Sequence, residues 1–189
     1  MPLTAIAPTG GLSAPGRPSP ILDGRYITSG IAQGFAAGRQ AKVPLMLGGN
    51  SNEASLFRPQ PAMLDLMPEE RRAAVLNAFD PQGTGDKARI VNDVSTVQSM
   101  TEPDRHIARL HTKAGAPTYL YYFSYVPPSE QARKPYGAAH TDEIRFVFVS
   151  PKARLTAEDL PLAQAMNTYW ANFAKTGASS RTSGIVFNR

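Results

Sequence analysis

The sequence feature that most constrains the fold is a short apolar run, Val43 to Leu47, which ends at Gly48-Gly49. A run of this length closed by glycines is typical of a strand buried in a parallel sheet. In α/β folds, functional groups gather on the loops beyond the carboxyl ends of such strands. The loop from Asn50 to Glu53 follows this predicted strand directly, so it is the first place to look for a site.

A second strand and several helices are predicted along the chain. Residues 117–126 form the strongest strand pattern, because they are aromatic and β-branched and are followed by two prolines. A polar loop then leads to His140. Helices are predicted at 30–38, within 59–79, from about 102 to 113 and from about 156 to 177, whereas residues 90–100 fit no single pattern.

Composition limits the class of protein. The chain of 189 residues has the length of one domain with a sizeable core, and it contains no cysteine, which excludes disulfides, thiolate nucleophiles and cysteine-based zinc sites. Its net charge of +5 comes from scattered basic residues, which argues against nucleic-acid binding. No apolar run is long enough to span a membrane, and the first residues lack the pattern of a signal peptide. We therefore expect a soluble protein or fragment.

Glu53 and His140 form the candidate catalytic pair. Each follows a predicted buried strand, so both side chains can lie at one edge of a sheet. A serine hydrolase needs a carboxylate on one ring nitrogen of its histidine, while the other nitrogen takes the serine proton. The order of acid before histidine also fits α/β-hydrolases. The alternative, from spacing alone, is a surface glutamate and an unrelated loop histidine.

Four sequence blocks occur in a recognisable order. They are the apolar strand with its Gly-Gly-Asn-Ser-Asn-Glu loop at 43–53, Tyr-Leu-Tyr-Tyr-Phe at 119–123, the histidine block with its Glu-Ile-Arg-Phe-Val-Phe run at 137–148, and Tyr-Trp-Ala-Asn-Phe-Ala-Lys-Thr-Gly at 169–177. In content and order they resemble the type-B carboxylesterase/lipase family, which includes bacterial para-nitrobenzyl esterases and the cholinesterases. The resemblance covers roughly residues 20–177. It departs from the family at Ala54, where glycine is usual.

The resemblance implies roles for residues at matching positions. Glu53 would be the acid and His140 the general acid/base of a Ser-His-Glu triad that hydrolyses small carboxylic esters through an acyl-enzyme, without cofactor or metal. Glu143 would be a structural partner near the histidine loop, with an ordinary exposed acid as the alternative. Asp142 is the competing acid, but a sequence neighbour in the loop is poorly placed to turn its carboxylate onto the ring in triad geometry.

Two blocks that the reaction needs do not occur in this sequence. There is no Gly-x-Ser-x-Gly elbow to expose a nucleophile, and no His-Gly-Gly loop to stabilise the tetrahedral intermediate. We therefore expect residues 1–189 to form the C-terminal part of an α/β-hydrolase domain, with a Pro/Gly-rich lead-in at 1–19 and a divergent tail at 178–189. The alternative is a catalytically inactive remnant or a non-catalytic binding module that keeps part of the fold.

An incomplete sheet has a consequence for stability. Such a sheet, made of the last strands and their covering helices, exposes an unpaired strand edge. We expect the isolated chain to be marginally stable, prone to aggregate, or dependent on a partner. The expected partner is the family's N-terminal half.

Other candidate sites are weaker. His106 and His111 are five residues apart on a predicted helix and so on different faces, unlike helical zinc ligands, which favours two surface histidines. The tyrosines of 119–125 have no basic stripe beside them and are expected to pack in the core, as is Trp170.

Overall fold

The computed structural model describes residues 21–150 and 153–178, and its centre is a pair of parallel strands. Strand β1 spans Leu45–Asn50 and strand β2 spans Thr118–Phe123. Their register places Leu45 opposite Thr118 and Asn50 opposite Phe123. Both strands occur where the sequence predicts them. Because they are parallel, their carboxyl ends lie at the same edge of the sheet.

The pairing of the two strands requires a glycine in β1. Gly48 lies opposite Tyr121, and a Cβ built on Gly48 would overlap the carbonyl oxygen of Tyr121 and crowd its ring. Glycine therefore allows a close approach that no other residue permits here. This explains why an apolar strand ends in glycines rather than in a further branched residue.

The described helices precede, separate and follow the two strands along the chain. Helix α1 spans Ile31–Ala36 and precedes β1, whereas α2 (Glu69–Phe79), α3 (Lys87–Thr96) and α4 (Glu102–Lys113) lie between β1 and β2. A π-helical turn, Val97–Thr101, joins α3 directly to α4. Residues 90–100, which fitted no single pattern, are therefore helical throughout.

Two apolar clusters form the described core. The first lies around α2 and α3 and consists of Leu64, Val75, Ile90, Val91 and Val94. The second joins the end of β2 to helices α5 (Ile144–Phe148) and α6 (Leu160–Thr176), and consists of Phe123, Ala138, Phe146, Val147, Ala163 and Met166. The second cluster lies under the loop that carries His140, so it anchors that loop from below.

Helix α6 covers one side of β2 through aromatic contacts. The Trp170 ring meets the Tyr121 ring with centroids 5.0 Å apart, and the Phe173 ring meets the Tyr119 ring at 5.8 Å. On the opposite face of β2, Tyr122 is 57% exposed. The prediction that the tyrosines pack in the core is therefore correct for one face of β2 and wrong for Tyr122, because alternate side chains of a strand point to opposite faces.

The prediction that His111 lies on the surface is wrong. The residue is buried, at 2% relative exposure, and its Nε2 lies 2.8 Å from the carbonyl oxygen of Val43. Its ring also meets the Phe35 ring of α1, because α4 turns this side toward the start of β1. His106, on another face of the same helix, is exposed as predicted.

Some sequence predictions fall outside the described ranges. The Pro/Gly-rich lead-in at 1–19 and all of the divergent tail except Ala178 lie there. Within the described ranges, each helix is too short or too polar to cross a membrane. The marginal stability expected of the isolated chain remains a prediction.

Candidate active site

Glu53 lies directly beyond β1, at the start of a 3₁₀ turn that spans Glu53–Leu56. Its side chain is 6% exposed, and its Oε1 accepts a hydrogen bond from the backbone N–H of Asn50 at 2.7 Å. The carboxylate thus folds back over the end of the strand. Gly49 leaves room for this, because a Cβ there would lie 3.1 Å from Oε1. One carboxylate oxygen is fixed by the strand, and the other points away from it.

That second oxygen meets His140. Glu53 Oε2 lies 2.5 Å from His140 Nδ1, although the two residues are 87 positions apart in the chain. A carboxylate accepts but cannot donate when ionised, so Nδ1 carries the proton and the neutral ring presents its lone pair at Nε2. The histidine side chain is 34% exposed. No described residue gives Nε2 a hydrogen-bond partner.

The backbone around His140 is bonded to the acid loop. Ala138 donates its N–H to Ser51 Oγ at 2.9 Å and accepts at its carbonyl from the N–H of Asn52 at 2.8 Å. His140 donates its own N–H to Ser55 Oγ at 2.8 Å. The loop after β1 therefore holds the histidine loop by main-chain contacts as well as by the Glu53–His140 contact.

Asn50 links the same two loops through its side chain. Its Nδ2 donates to the carbonyl of Ala139 at 2.7 Å and to Glu143 Oε2 at 2.5 Å, and the residue is 1% exposed. Of the two interpretations of Glu143, the contact supports the structural partner. Sequence reasoning pointed to the loop that begins at Asn50 but did not single out its side chain.

Asp142 does not contact the ring of His140. Its Oδ2 accepts the backbone N–H of Ala139 at 2.7 Å and pairs with Lys134 Nζ at 2.6 Å. Lys134 also pairs with Glu130, which binds Arg145 through both carboxylate oxygens at 2.7 and 3.1 Å. The hydrogen bonds from Arg145 and then Lys134 lower the pKa of Glu130 to about 2. A chain of ion pairs thus braces the loop one residue before His140.

Helix α3 also supports the turn that carries Glu53. Thr96, at the end of α3 and 3% exposed, accepts the N–H of Ala54 at its hydroxyl at 3.1 Å. Ala54 itself is completely buried, so its methyl group fits where glycine is usual. Asp104, just past the π-helical turn, has its pKa raised to about 6 by burial and, secondarily, by the charge of Glu53.

This arrangement is suited to proton transfer. A buried carboxylate orients an imidazole, stabilises it once protonated, and leaves its outer nitrogen accessible to a hydroxyl. The hydroxyls of Ser51 and Ser55 are already engaged as acceptors for main-chain N–H groups of the histidine loop. The described residues therefore bring a carboxylate and an imidazole into contact, and the sequence contains no Gly-x-Ser-x-Gly elbow.

Comparison with known proteins places these residues in context. The family model described as "Carboxylesterase family" matches residues 15–187. Carboxylesterase 5A of Ovis aries is 45% identical over 80 residues, which cover 37% of this chain and 21% of that protein. Acetylcholinesterase 1 of Caenorhabditis elegans is 26% identical over 213 residues, which cover 90% of this chain and 34% of that protein. The chain thus spans about a third or less of these relatives.

A solved structure supports the fold. The crystal structure of Aspergillus niger EstA matches 86% of this chain and 36% of its own chain, with a TM-score of 0.69 and 17% sequence identity. Together with the family match, this confirms the predicted fold class, a partial α/β-hydrolase fold with a small parallel sheet and covering helices.

Proposed function

The chain belongs to the carboxylesterase family, and we propose that it supplies the acid and the histidine of a Ser-His-Glu triad in a carboxylic-ester hydrolase. Glu53 is the orienting acid and His140 is the general acid/base. The observation that carries the proposal is the 2.5 Å contact between Glu53 Oε2 and His140 Nδ1 at the carboxyl edge of the sheet. The nucleophilic serine comes from a segment that is not in this sequence.

The reaction follows from the two nitrogens of His140. Nε2 takes the proton of the serine hydroxyl as its oxygen attacks the ester carbonyl, and the resulting imidazolium is stabilised by the charge of Glu53. The imidazolium then gives this proton to the departing alcohol, which leaves an acyl-enzyme. Water repeats the sequence on the acyl-enzyme, again with His140 as the base, and releases the acid.

The contacts around the pair support this role. An imidazole that must meet a serine from another segment needs a fixed position, since a misplacement of about 1 Å can cost on the order of a hundredfold in rate. The histidine loop is bonded to the acid loop at Ala138, Ala139 and His140. Both loops project from paired strands, which are rigid supports for a site.

The substrate class comes from the family. The relatives are esterases by name, and a small-molecule carboxylic ester is the substrate that acyl transfer through a serine requires. The oxyanion donors and the serine would both be contributed by the partner segment, so the substrate lies between that segment and Nε2 of His140.

The test is hydrolysis of para-nitrophenyl acetate by the chain alone and after addition of an N-terminal half that carries the serine elbow. We expect activity only on mixing, and its loss in His140→Ala but not in the matched variant His106→Ala, which changes an exposed histidine. A fluorophosphonate probe should label the added half and not this chain. Sustained turnover by the chain alone would overturn the proposal.

The alternative is a non-catalytic remnant or binding module, which the lack of a serine elbow in this sequence favours. It predicts that the two halves form a stable complex without hydrolysing the ester. Co-elution of the halves in gel filtration, followed by the same assay, separates the two functions.

A further inference from the structure

Asn50 bonds both to the loop that carries Glu53 and to the loop that carries His140. It is the last residue of β1, opposite Phe123, and it is 1% exposed. Its backbone N–H holds Glu53 Oε1 at 2.7 Å, while its side-chain nitrogen holds the carbonyl of Ala139 at 2.7 Å. One residue therefore contacts the acid through its main chain and the residue before the histidine through its side chain.

The orientation of the Asn50 amide is determined by its two acceptors. One Nδ2 proton goes to the carbonyl of Ala139 and the other to the carboxylate of Glu143 at 2.5 Å. Its Oδ1 is buried and has no hydrogen-bond partner among the described residues. A reversed amide would turn Oδ1 toward a carbonyl and a carboxylate, so only the observed orientation avoids repulsion between acceptors.

The position of Ala139 is transmitted directly to His140. The two residues share a planar peptide unit, so fixing the carbonyl of Ala139 fixes the plane from which the Cα of His140 extends. The other end of the contact is anchored, because Asn50 belongs to a strand that is paired along its whole length with β2. A second bond, from Asn50 Nδ2 to Glu143 Oε2 at 2.5 Å, holds the other proton of the amide.

We propose that Asn50 is a positioning residue that sets His140 against Glu53. This rests on the proposed function for its catalytic meaning, but the coupling itself is a property of this chain alone. Aspartate has the same shape as asparagine but lacks both Nδ2 protons, and alanine lacks the amide altogether. In either variant the carbonyl of Ala139 keeps only the N–H of Asp142, at 3.0 Å, which belongs to its own loop. The residue before His140 thus loses its direct bond to the end of β1.

The first test is proton NMR of the whole chain with ¹⁵N-labelled histidine. The His140 Nδ1 proton, held by a carboxylate, is expected far downfield, and its assignment is simple because the chain has three histidines. We expect Asn50→Ala and Asn50→Asp to lose or broaden this signal. The matched control, Asn92→Ala, removes another buried asparagine and should keep it.

Fluorescence of Trp170, the single tryptophan, reports whether each variant has folded, since its ring packs on Tyr121. An unchanged downfield signal in a folded Asn50 variant overturns the proposal, and so does its absence from the wild-type chain. If neither variant folds, the reciprocal substitution decides. His140→Ala should then shift both Nδ2 proton resonances of Asn50, and unshifted resonances overturn the proposal.

The mixing assay adds a kinetic readout. In an active mixture, Asn50→Ala should lower kcat roughly 10- to 100-fold with little change in KM, because a displaced base affects the transition state more than substrate binding. An Asn50→Ala mixture with wild-type kcat overturns the proposal. If the Asn50 variants lose the NMR signal and the wild-type chain stays inactive on mixing, the positioning role is supported and the proposed hydrolysis is rejected. Failure of one proposal is therefore distinguishable from failure of the other.

Discussion

The hydroxyl of Ser55 accepts the backbone N–H of His140 at 2.8 Å, while Glu53, two residues earlier, contacts the ring of the same histidine. A single 3₁₀ turn, Glu53–Leu56, therefore holds His140 by its main chain and by its side chain. Two attachment points from one rigid turn fix the position and the direction of the imidazole together.

Removing the main-chain attachment should weaken the fold and the site. Ser55→Ala leaves the partly buried N–H of His140 without its acceptor, so we expect the free energy of unfolding to fall by about 1–2 kcal/mol. Urea unfolding followed by Trp170 fluorescence measures this. Ser99→Ala is the control, because the Ser99 hydroxyl is buried without a partner in the described ranges. Equal losses in both variants would contradict the prediction.

Neutralising the acid should affect catalysis more than binding. In an active mixture with the serine-bearing half, Glu53→Gln should lower kcat by roughly two to four orders of magnitude, because the imidazolium loses its counter-charge. KM should change little. Glu69→Gln, at an exposed glutamate on the first turn of α2, should leave kcat unchanged. A kcat near wild type in Glu53→Gln would rule out its role as the acid.

The ion pairs beside the histidine loop should stabilise the fold at neutral pH and fail in acid. Arg145 and Lys134 lower the pKa of Glu130 from 4.5 to about 2, so its stabilisation is present above about pH 4.5 and is lost as the pH falls toward 2. Glu130→Gln should cost about 1 kcal/mol at pH 7 and progressively less as the pH falls toward 2. Thermal unfolding across this range measures the difference, and a constant offset would contradict it.

Asp104 should have the opposite pH dependence. Burial and the charge of Glu53 raise its pKa from 3.8 to about 6, so the folded chain binds the proton more tightly than the unfolded chain. Its contribution to stability therefore falls as the pH rises from about 4 to 6 and stays low above that. Asp104→Asn should match the wild type near pH 4 and have the higher Tm at pH 7. A Tm difference that does not grow with pH would be the contrary result.

A methyl group in β1 should disrupt the sheet. Gly48→Ala places a Cβ against the carbonyl oxygen of Tyr121, and backbone atoms cannot move aside without breaking the β1–β2 pairing. We expect a loss of more than about 3 kcal/mol or an insoluble chain. Gly34→Ala in α1 is the control, since its Cβ would lie 3.4 Å from Ser29 Oγ and should be tolerated. Soluble expression and urea unfolding distinguish the two variants.

Local patterns were sufficient to predict β1, β2, α4 and α6. They were insufficient between Ile90 and Met100, because the π-helical turn Val97–Thr101 changes the face that the helix presents to the sheet. No single 3.6-residue period fits both sides of such a turn. The burial of His111 was missed for a related reason, since spacing gives the relative faces of two helical residues but not which face meets β1.

The site was only partly visible in the sequence. Chain order placed Glu53 and His140 at one sheet edge, and the structure brings them into contact, while their catalytic roles remain predictions. Asn50 and Ser55 were not singled out, because each bonds to a main-chain group more than eighty positions away. A backbone acceptor or donor carries no residue-type signal, so only the tertiary structure reveals such contacts.

The separation of 87 positions between Glu53 and His140 also determines when the site can form during folding. Helices α2, α3 and α4 are local, whereas pairing β1 with β2 requires closure of the whole intervening chain, which is entropically costly and slow. An intermediate with native helical content and an unpaired β1 would therefore lack the acid–histidine contact. The contact therefore forms only once the chain between the two strands has closed. The circular dichroism signal of the helices alone would overestimate the fraction of molecules in which the acid and the histidine are in contact.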